Sequence, residues 1–351
     1  MRVVIADPPA FTPPYDHELA AALVRAGAEV ELVSSRFRFG ESPTPAGYTR
    51  SEIFYPLSSR LFRRSRLRLP LKVCEHPLGM ARLARCRADV VHLQWLALPP
   101  LDRFLLPRRV PLVFTAHDLL PRRSAARHGL WRKLLARFDA VVVHSENGRR
   151  SLEELGVPAE RLHVIFHPAF ASDPARADDG HTLLSLGVIR PYKGLDDAIE
   201  VTRTLAGARL LVAGDPLEPV ERYRERAGKL AEWRLGYLPE AEIDRALGET
   251  TVALFPYLAE LDQSGALLRA LGAGVPVVVY DVGGLAEPVR AYEAGAVVPA
   301  GDVEAMGAAV RELLDNPQAL ERARAGARRA RSALSWDGAA SRHLTLYDAL
   351  R

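Results

Sequence analysis

Arg190 and Lys193 stand three residues apart in LGVIRPYKG (186–194), after an apolar run that ends at Ile189 and before a helical pattern over about 195–206. Pro191 lies between them and Gly194 follows. Two cations at the carboxyl end of a strand suit an anion. A guanidinium grips two phosphate oxygens in a fork, and an ammonium acts as a movable point charge. On its own the pair also reads as a solvated turn. A second stretch, LDQSGALLRALGAGVPVVVYDVGG (261–284), places Gln263, Ser264 and Gly265 at the opening of an apolar helix. The first amides of a helix have no internal partner, and such an end binds phosphate. Gly265 lets a ligand approach the backbone. Ser264 alone is an ordinary N-cap; together with Arg190 and Lys193 it favours the phosphate reading.

The elements that position these residues alternate from end to end. RVVIAD (2–7) leads to a helix over 16–27, with Asp16 as its expected cap and Gly27 just past its end. Runs at 29–34, 89–95, 111–118, 140–146 and 162–168 read as strands buried on both faces of a parallel sheet. The small, polar stretch ASDPARADDG (171–180) reads as a linker. A second series follows at 182–189, 208–215, 232–238, 251–257, 275–281 and 296–300, then a helix over 302–317 with an Asp cap and an Asn-Pro stop. The 351 residues suit two domains. The expectation is two doubly wound α/β domains, with ligands at the carboxyl ends of their strands in a cleft between them.

These residues, in this order, resemble the retaining nucleotide-sugar glycosyltransferases of the GT-B fold, family 4 (glycosyl transferases group 1) type. The resemblance covers nearly the whole chain. Its motifs are IRPYKG (189–194), GYLPEAEIDRAL (236–247), SGALLRALGAGVPVVVYDVGGLAE (264–287), FTAHD (114–118) and SWDGAASRHLTLYDAL (335–350). It implies two Rossmann-like domains: residues 1–170 bind the acceptor, residues 181–335 bind the donor, and a last helix, 336–351, crosses back to the first. It implies transfer of a hexose, with retained configuration, from a nucleoside-diphosphate sugar to a glycan or lipid-linked acceptor. Arg190, Lys193 and the amides at Ser264 and Gly265 would stabilise the leaving diphosphate, with no metal and no other cofactor. Gly236, Tyr237 and Glu287 fall in the donor-binding motifs and Gly187 and Gln263 just before them, all as donor-binding candidates, and His117 at the end of LVFT would face the donor sugar. His144 lies near another strand end and is open to either role; His167, before a proline, reads as structural.

One departure from the pattern stands out. The family has two glutamates eight residues apart, the second just before Ala-x-x-x-Gly-x-Pro; the first holds donor-sugar hydroxyls, the second the ribose. Here those positions are Leu261 and Arg269. Glu260 and Asp262 flank the first, and Asp262 is the preferred substitute. Arg269 cannot accept hydrogen bonds from ribose hydroxyls; it reaches a phosphate or points away. The departure keeps alternatives open: a non-catalytic sugar-nucleotide-binding protein, or an epimerase or sugar-phosphate synthase on the same fold.

On the acceptor side, PPAFTPPYDHEL (8–19) lacks the glycines of a dinucleotide fingerprint, and Phe11 and Tyr15 are candidate acceptor contacts. RLFRRSRLRLPLK (60–72) carries six cations and no acid among Leu and Phe, a composition that suits either an anionic membrane face or a solvated basic segment. A net charge of +4 and no recognition motif argue against nucleic acid. The 47 basic residues include only four lysines, Lys72, Lys133, Lys193 and Lys229. Cys74 and Cys86 form no disulfide framework or zinc quartet, which points to a reducing cytoplasm. MRVVIADPP reads as a first strand and not as a signal peptide, and no run approaches the ~20 apolar residues of a membrane span.

Overall fold

The computed structural model describes residues 1–61, 68–120, 126–259 and 261–351. Of the basic segment 60–72, residues 62–67 lie outside the described residues, as does Glu260. Along the chain run β1 (Arg2–Asp7), α1 (Pro13–Arg25), β2 (Glu29–Ser35), β3 (Thr49–Phe54), α2 (Ser58–Leu61), α3 (Arg68–Leu83), β4 (Val90–Leu93), α4 (Pro99–Leu105), β5 (Leu112–Thr115), α5 (His128–Leu135), β6 (Ala140–Val143), α6 (Glu146–Glu154) and β7 (Leu162–Val164). Then follow β8 (Thr182–Leu186), α7 (Leu195–Arg203), β9 (Arg209–Gly214), α8 (Glu221–Ala227), β10 (Ala231–Leu235), α9 (Glu240–Glu249), β11 (Val252–Phe255), α10 (Gly265–Gly272), β12 (Val277–Tyr280), α11 (Ala286–Tyr292), β13 (Gly295–Val298), α12 (Val303–Asp315), α13 (Pro317–Ala333) and α14 (Trp336–Ala349).

The chain divides into two compact units, Met1–Phe166 with Trp336–Arg351, and His167–Ser335. Each holds one parallel sheet, ordered β3-β2-β1-β4-β5-β6-β7 in the first and β10-β9-β8-β11-β12-β13 in the second. The strands read as continuous apolar runs because helices cover both faces: Val3, Val4, Ile5 and Ala6 of β1 and all of β12 are buried. In each sheet the order reverses beside the unit's first strand, between β1 and β4 and between β8 and β11. Loops leaving the two strands of such a pair diverge at their carboxyl ends, and the opening between them is where ligands of open α/β sheets bind.

Most expected strands run two to four residues too long at their carboxyl ends. Many of the residues beyond the last ladder pair are still apolar or buried, as are Gln94, Ala116, His144 and Ile165, but they lie past the strands. The edge strand β3, TRSEIF, has no apolar run and escapes the sequence pattern. The stretch 171–180, expected as a linker, is fixed along the second unit: Ser172 N–H donates to Gly272 O (3.2 Å), Ala177 N–H to Gly248 O (3.0 Å), and Arg331 grips Asp173 in a fork. Asn316 caps α13 by accepting from Gln318 and Ala319 N–H, so Asn-Pro starts a helix as well as ending one. Among the described residues no helix is long and apolar enough to cross a membrane, and Cys74 and Cys86 are free thiols.

Asp16 is not the cap of α1. The helix starts earlier, at Pro13, because proline is suited to a first turn that needs no N–H. Asp16 is thereby carried into the core, against Asp7 at the end of β1. Asp7 Oδ2 accepts from Phe11 N–H (2.7 Å) and Thr12 N–H (3.1 Å), which shapes the β1–α1 loop. Burial pushes the Asp7 carboxyl up to about 6 and Asp16 well above its ordinary value, so the pair keeps a proton. A raised carboxyl stabilises the fold fully below the unfolded value near 4, and that contribution is lost as pH rises through 6. We expect the stability deficit of Asp7→Asn, measured by urea unfolding, to shrink by about 2 kcal/mol between pH 4 and pH 8. A deficit that does not change with pH would contradict the raised Asp7 carboxyl.

Candidate active site

The second unit gathers Arg190, Lys193, Gln263, Ser264 and Gly265 at the β8/β11 opening. Beyond β8 the chain passes Gly187, and Ile189 pairs with Pro216. One turn of 3-10 helix over Pro191–Lys193 follows, then Gly194 at φ 67. That glycine is required twice over: the left-handed backbone disfavours a side chain, and a Cβ would lie 1.9 Å from Pro256 O. Leu258 N–H donates to Tyr192 O (2.8 Å), tying this loop to the chain leaving β11. Arg190 is exposed; its carbonyl accepts from Lys193 N–H (2.9 Å), and its guanidinium makes no hydrogen bond or ion pair among the described residues. Lys193 Nζ donates to the hydroxyl of Tyr257 and sits over its ring. Tyr257, which is buried, lies 2.9 Å from Ser264 Oγ.

Ser264 caps α10, accepting from Leu267 N–H (3.5 Å). Gln263 folds back: its Oε1 accepts from Ser264 N–H (2.9 Å) and its Nε2 donates to Gly284 O (3.2 Å). Gly284 N–H in turn donates to Leu261 O (3.0 Å), and a Cβ on Gly283 would strike that same oxygen at 2.2 Å. The Gly-Gly turn is thus stitched to the start of α10, and Glu287 lies half-buried in the first turn of α11. Asp262 is fully buried.

Arg269 is held elsewhere. Glu240, at the start of α9, grips its guanidinium in a fork, with Nη2 2.8 Å from Oε1, and the guanidinium carbon lies 4.4 Å over the Phe170 ring. Tyr237, which is 42% exposed, lies near the charges of both partners. Gly236, at φ 125, donates its N–H to Gly214 O (3.0 Å).

In the first unit the residues beyond β4, β5 and β6 meet. His117 Nε2 lies 2.9 Å from Gln94 Oε1, and His117 Nδ1 lies 3.3 Å from His144 Nε2. His144 Nδ1 lies 2.9 Å from Ile165 O. A carbonyl only accepts, so His144 carries its proton on Nδ1 and accepts at Nε2, and His117 must donate from Nδ1. Burial pushes His144 down to about 4, which keeps it a neutral acceptor. Trp95 stacks on His117 at 5.2 Å and donates from Nε1 to Thr12 Oγ1 (2.8 Å), joining β4's end to the β1–α1 loop. Tyr15 is buried with its edge on His117 at 4.7 Å, whereas Phe11 is exposed and packs on Trp95. His167 bonds locally, Nδ1 to Pro168 O at 2.7 Å.

Gln94, Trp95 and Tyr257 are neighbours of the candidate residues that sequence reasoning missed. Each is a polar or amphipathic residue closing an apolar strand run, in HLQW and ALFPY, and that position was the available signal. Among the described residues no group of three or more His, Cys, Asp or Glu is placed to hold a metal ion.

Two family models tile most of the chain: Glycosyltransferase Family 4 matches residues 15–169 and Glycosyl transferases group 1 matches residues 180–316. The chain is 28% identical over 291 residues to the glycogen synthase of Mycobacterium tuberculosis, a match spanning 74% of this chain and 69% of that protein. It is 26% identical over 360 residues to the D-inositol 3-phosphate glycosyltransferase of Mycolicibacterium smegmatis, spanning 89% and 80%. In fold it is similar to sucrose-phosphate synthase from Thermosynechococcus elongatus, with a TM-score of 0.79 at 18% identity over 100% and 99% of the chains. It is also similar to Anabaena HepE, solved in complex with UDP and glucose, with a TM-score of 0.74 at 14% identity over 100% of both.

The histidine relay makes a direct spectroscopic prediction. Long-range 1H–15N spectra should show His144 as the neutral Nδ1–H tautomer from pH 8 down to about pH 5, titrating only near 4. Titration near the ordinary value of 6.5 would contradict the relay.

Proposed function

Because the chain belongs to the family 4 glycosyltransferases and has their GT-B fold, we propose that it transfers a hexose from a nucleoside-diphosphate sugar to a glycan or lipid-linked acceptor, with retention. The enzyme is a glycosyltransferase; donor, acceptor and stereochemistry are the proposal. The observation that carries it is the bonded chain from Lys193 through Tyr257 to Ser264 at the mouth of α10, beside exposed Arg190. The relatives named as glycogen synthase and inositol-phosphate glycosyltransferase support sugar transfer, and the UDP and glucose of HepE support a nucleotide-sugar donor.

In this reading the anomeric C–O bond breaks with its electron pair on the departing diphosphate. The acceptor hydroxyl oxygen bonds the anomeric carbon on the face just vacated, and its proton passes to the released phosphate oxygen. The step is limited by charge developing on the diphosphate. Arg190, Lys193 and the amides of Gly265 and Ala266 stabilise that charge, the kind of fixed electrostatic term that is often the largest in catalysis. The two cations supply the counter-charge a metal would otherwise bring, so the reading invokes none. Asp262, or Glu260 outside the described residues, takes the donor-sugar hydroxyls. His117, oriented by His144 and Gln94, stands at the carboxyl end of β5 in the acceptor unit. We place the enzyme in the cytoplasm, peripheral to an anionic membrane that it meets through the basic segment 60–72.

Three measurements test this. Thermal shift with UDP, ADP and GDP should find at least one that stabilises the protein, and no response to any of them would remove the donor. Lys193→Ala should lower turnover about a hundredfold, the cost of losing one transition-state donor; an unchanged rate would exclude Lys193. Replacing Arg63, Arg64 and Arg66 together by Ser should reduce flotation with phosphatidylserine-containing vesicles, and a parent enzyme that does not float would end the membrane proposal.

A further inference from the structure

We infer that Tyr257 is a positioning residue that fixes the Lys193 ammonium and turns the Ser264 hydroxyl outward, so that the mouth of α10 offers hydrogen-bond donors to a diphosphate. This rests on the donor reading above and adds a residue to it. What carries it is the direction in which each hydrogen must point.

An ammonium has hydrogens and no lone pair, so in its bond with Lys193 the Tyr257 oxygen is the acceptor. The phenol then has one hydrogen to place. Tyr257 is 2% exposed, and Ser264 Oγ lies 2.9 Å away, so that hydrogen goes to the serine oxygen. Ser264 Oγ also accepts from Leu267 N–H at 3.5 Å. Both lone pairs of the serine oxygen are therefore engaged, and its own hydrogen is left to donate away from tyrosine and helix alike. Burial pushes the phenol far above its ordinary value, so it keeps the hydrogen on which this order depends.

The neighbouring groups have the same polarity. Gln263 Oε1 occupies Ser264 N–H, and the Gln263 amide is itself anchored on Gly284 O, so neither turns an acceptor toward the helix mouth. Gly265 and Ala266 open the helix, where their N–H groups have no acceptor within it. The Ser264 hydroxyl, two amides and the Lys193 ammonium thus form a set of donors beside Arg190. A diphosphate carries only acceptor oxygens and matches this set. Phenylalanine would fill the same space at position 257 and leave the serine hydrogen free to turn inward.

The test uses inorganic pyrophosphate as probe and the isosteric Tyr257→Phe variant. By calorimetry this variant should bind pyrophosphate about tenfold more weakly than the parent. Combined with Lys193→Met it should cost much less than the product of the two separate losses, because both remove one linkage. A second readout needs no ligand. With only four lysines in the chain, the Lys193 side-chain resonance is identified by its absence in Lys193→Met, and it should shift in Tyr257→Phe. Should that variant fold poorly, Ser264→Ala probes the other end of the chain and should weaken pyrophosphate comparably. Losses that multiply in full, an unmoved Lys193 resonance, or a parent that does not bind pyrophosphate would each overturn the inference. If pyrophosphate binds with the expected coupling but UDP, ADP and GDP bind no more tightly, the inference stands and the nucleotide-sugar reading falls.

Discussion

The constraint on which the rest depends is the reversal of strand order beside the first strand of each parallel sheet. Parallel strands cannot be joined by tight hairpins, so every connection is a crossover that leaves its loop at a carboxyl end. Where successive crossovers depart in opposite directions, two loops separate and their main-chain groups lose neighbours. Those groups must then be satisfied by side chains or by a ligand. In the second unit the Ser264 and Gln263 side chains satisfy Leu267 N–H, Ser264 N–H and Gly284 O; in the first, Asp7 accepts from Phe11 and Thr12 N–H.

The two openings solve the same problem with opposite chemistry. In the second unit cations and helix amides face outward, and acceptors are spent on internal bonds. In the first, the charge is suppressed: Asp7 and Asp16 keep a proton and His144 stays neutral, all because of burial. A neutral imidazole such as His144 and an indole such as Trp95 are suited to the hydroxyl and ring faces of a sugar or polyol, as cations are to phosphate. This division of polarity is a property of the side chains within each unit.

The alternation of strands and helices, and hence the fold, was legible because buried parallel strands are apolar throughout. Arg190, Lys193 and Ser264 were legible as a group because each follows the end of such a run, where a polar residue is conspicuous. Tyr257 was not, since a tyrosine closing an apolar strand looks like core until its hydroxyl is seen between a lysine and a serine. Asp16 misled for a related reason: an aspartate before an apolar helix suggests a cap, and only the early start at Pro13 moves it inside. Arg269 looked like a lost carboxylate; its fork with Glu240 joins residues 29 apart, a pairing invisible to local spacing.

The first unit is discontinuous in sequence, and this sets the order in which it is completed. α14 packs on α1, its Asp337 accepts from Arg25, and its Tyr347 hydroxyl lies 2.6 Å from the buried His92. Those partners are synthesised only after every residue of the second unit. The unit begun first is therefore the last to close, and until then a patch of its core around His92 is bare, a surface for a chaperone to cover.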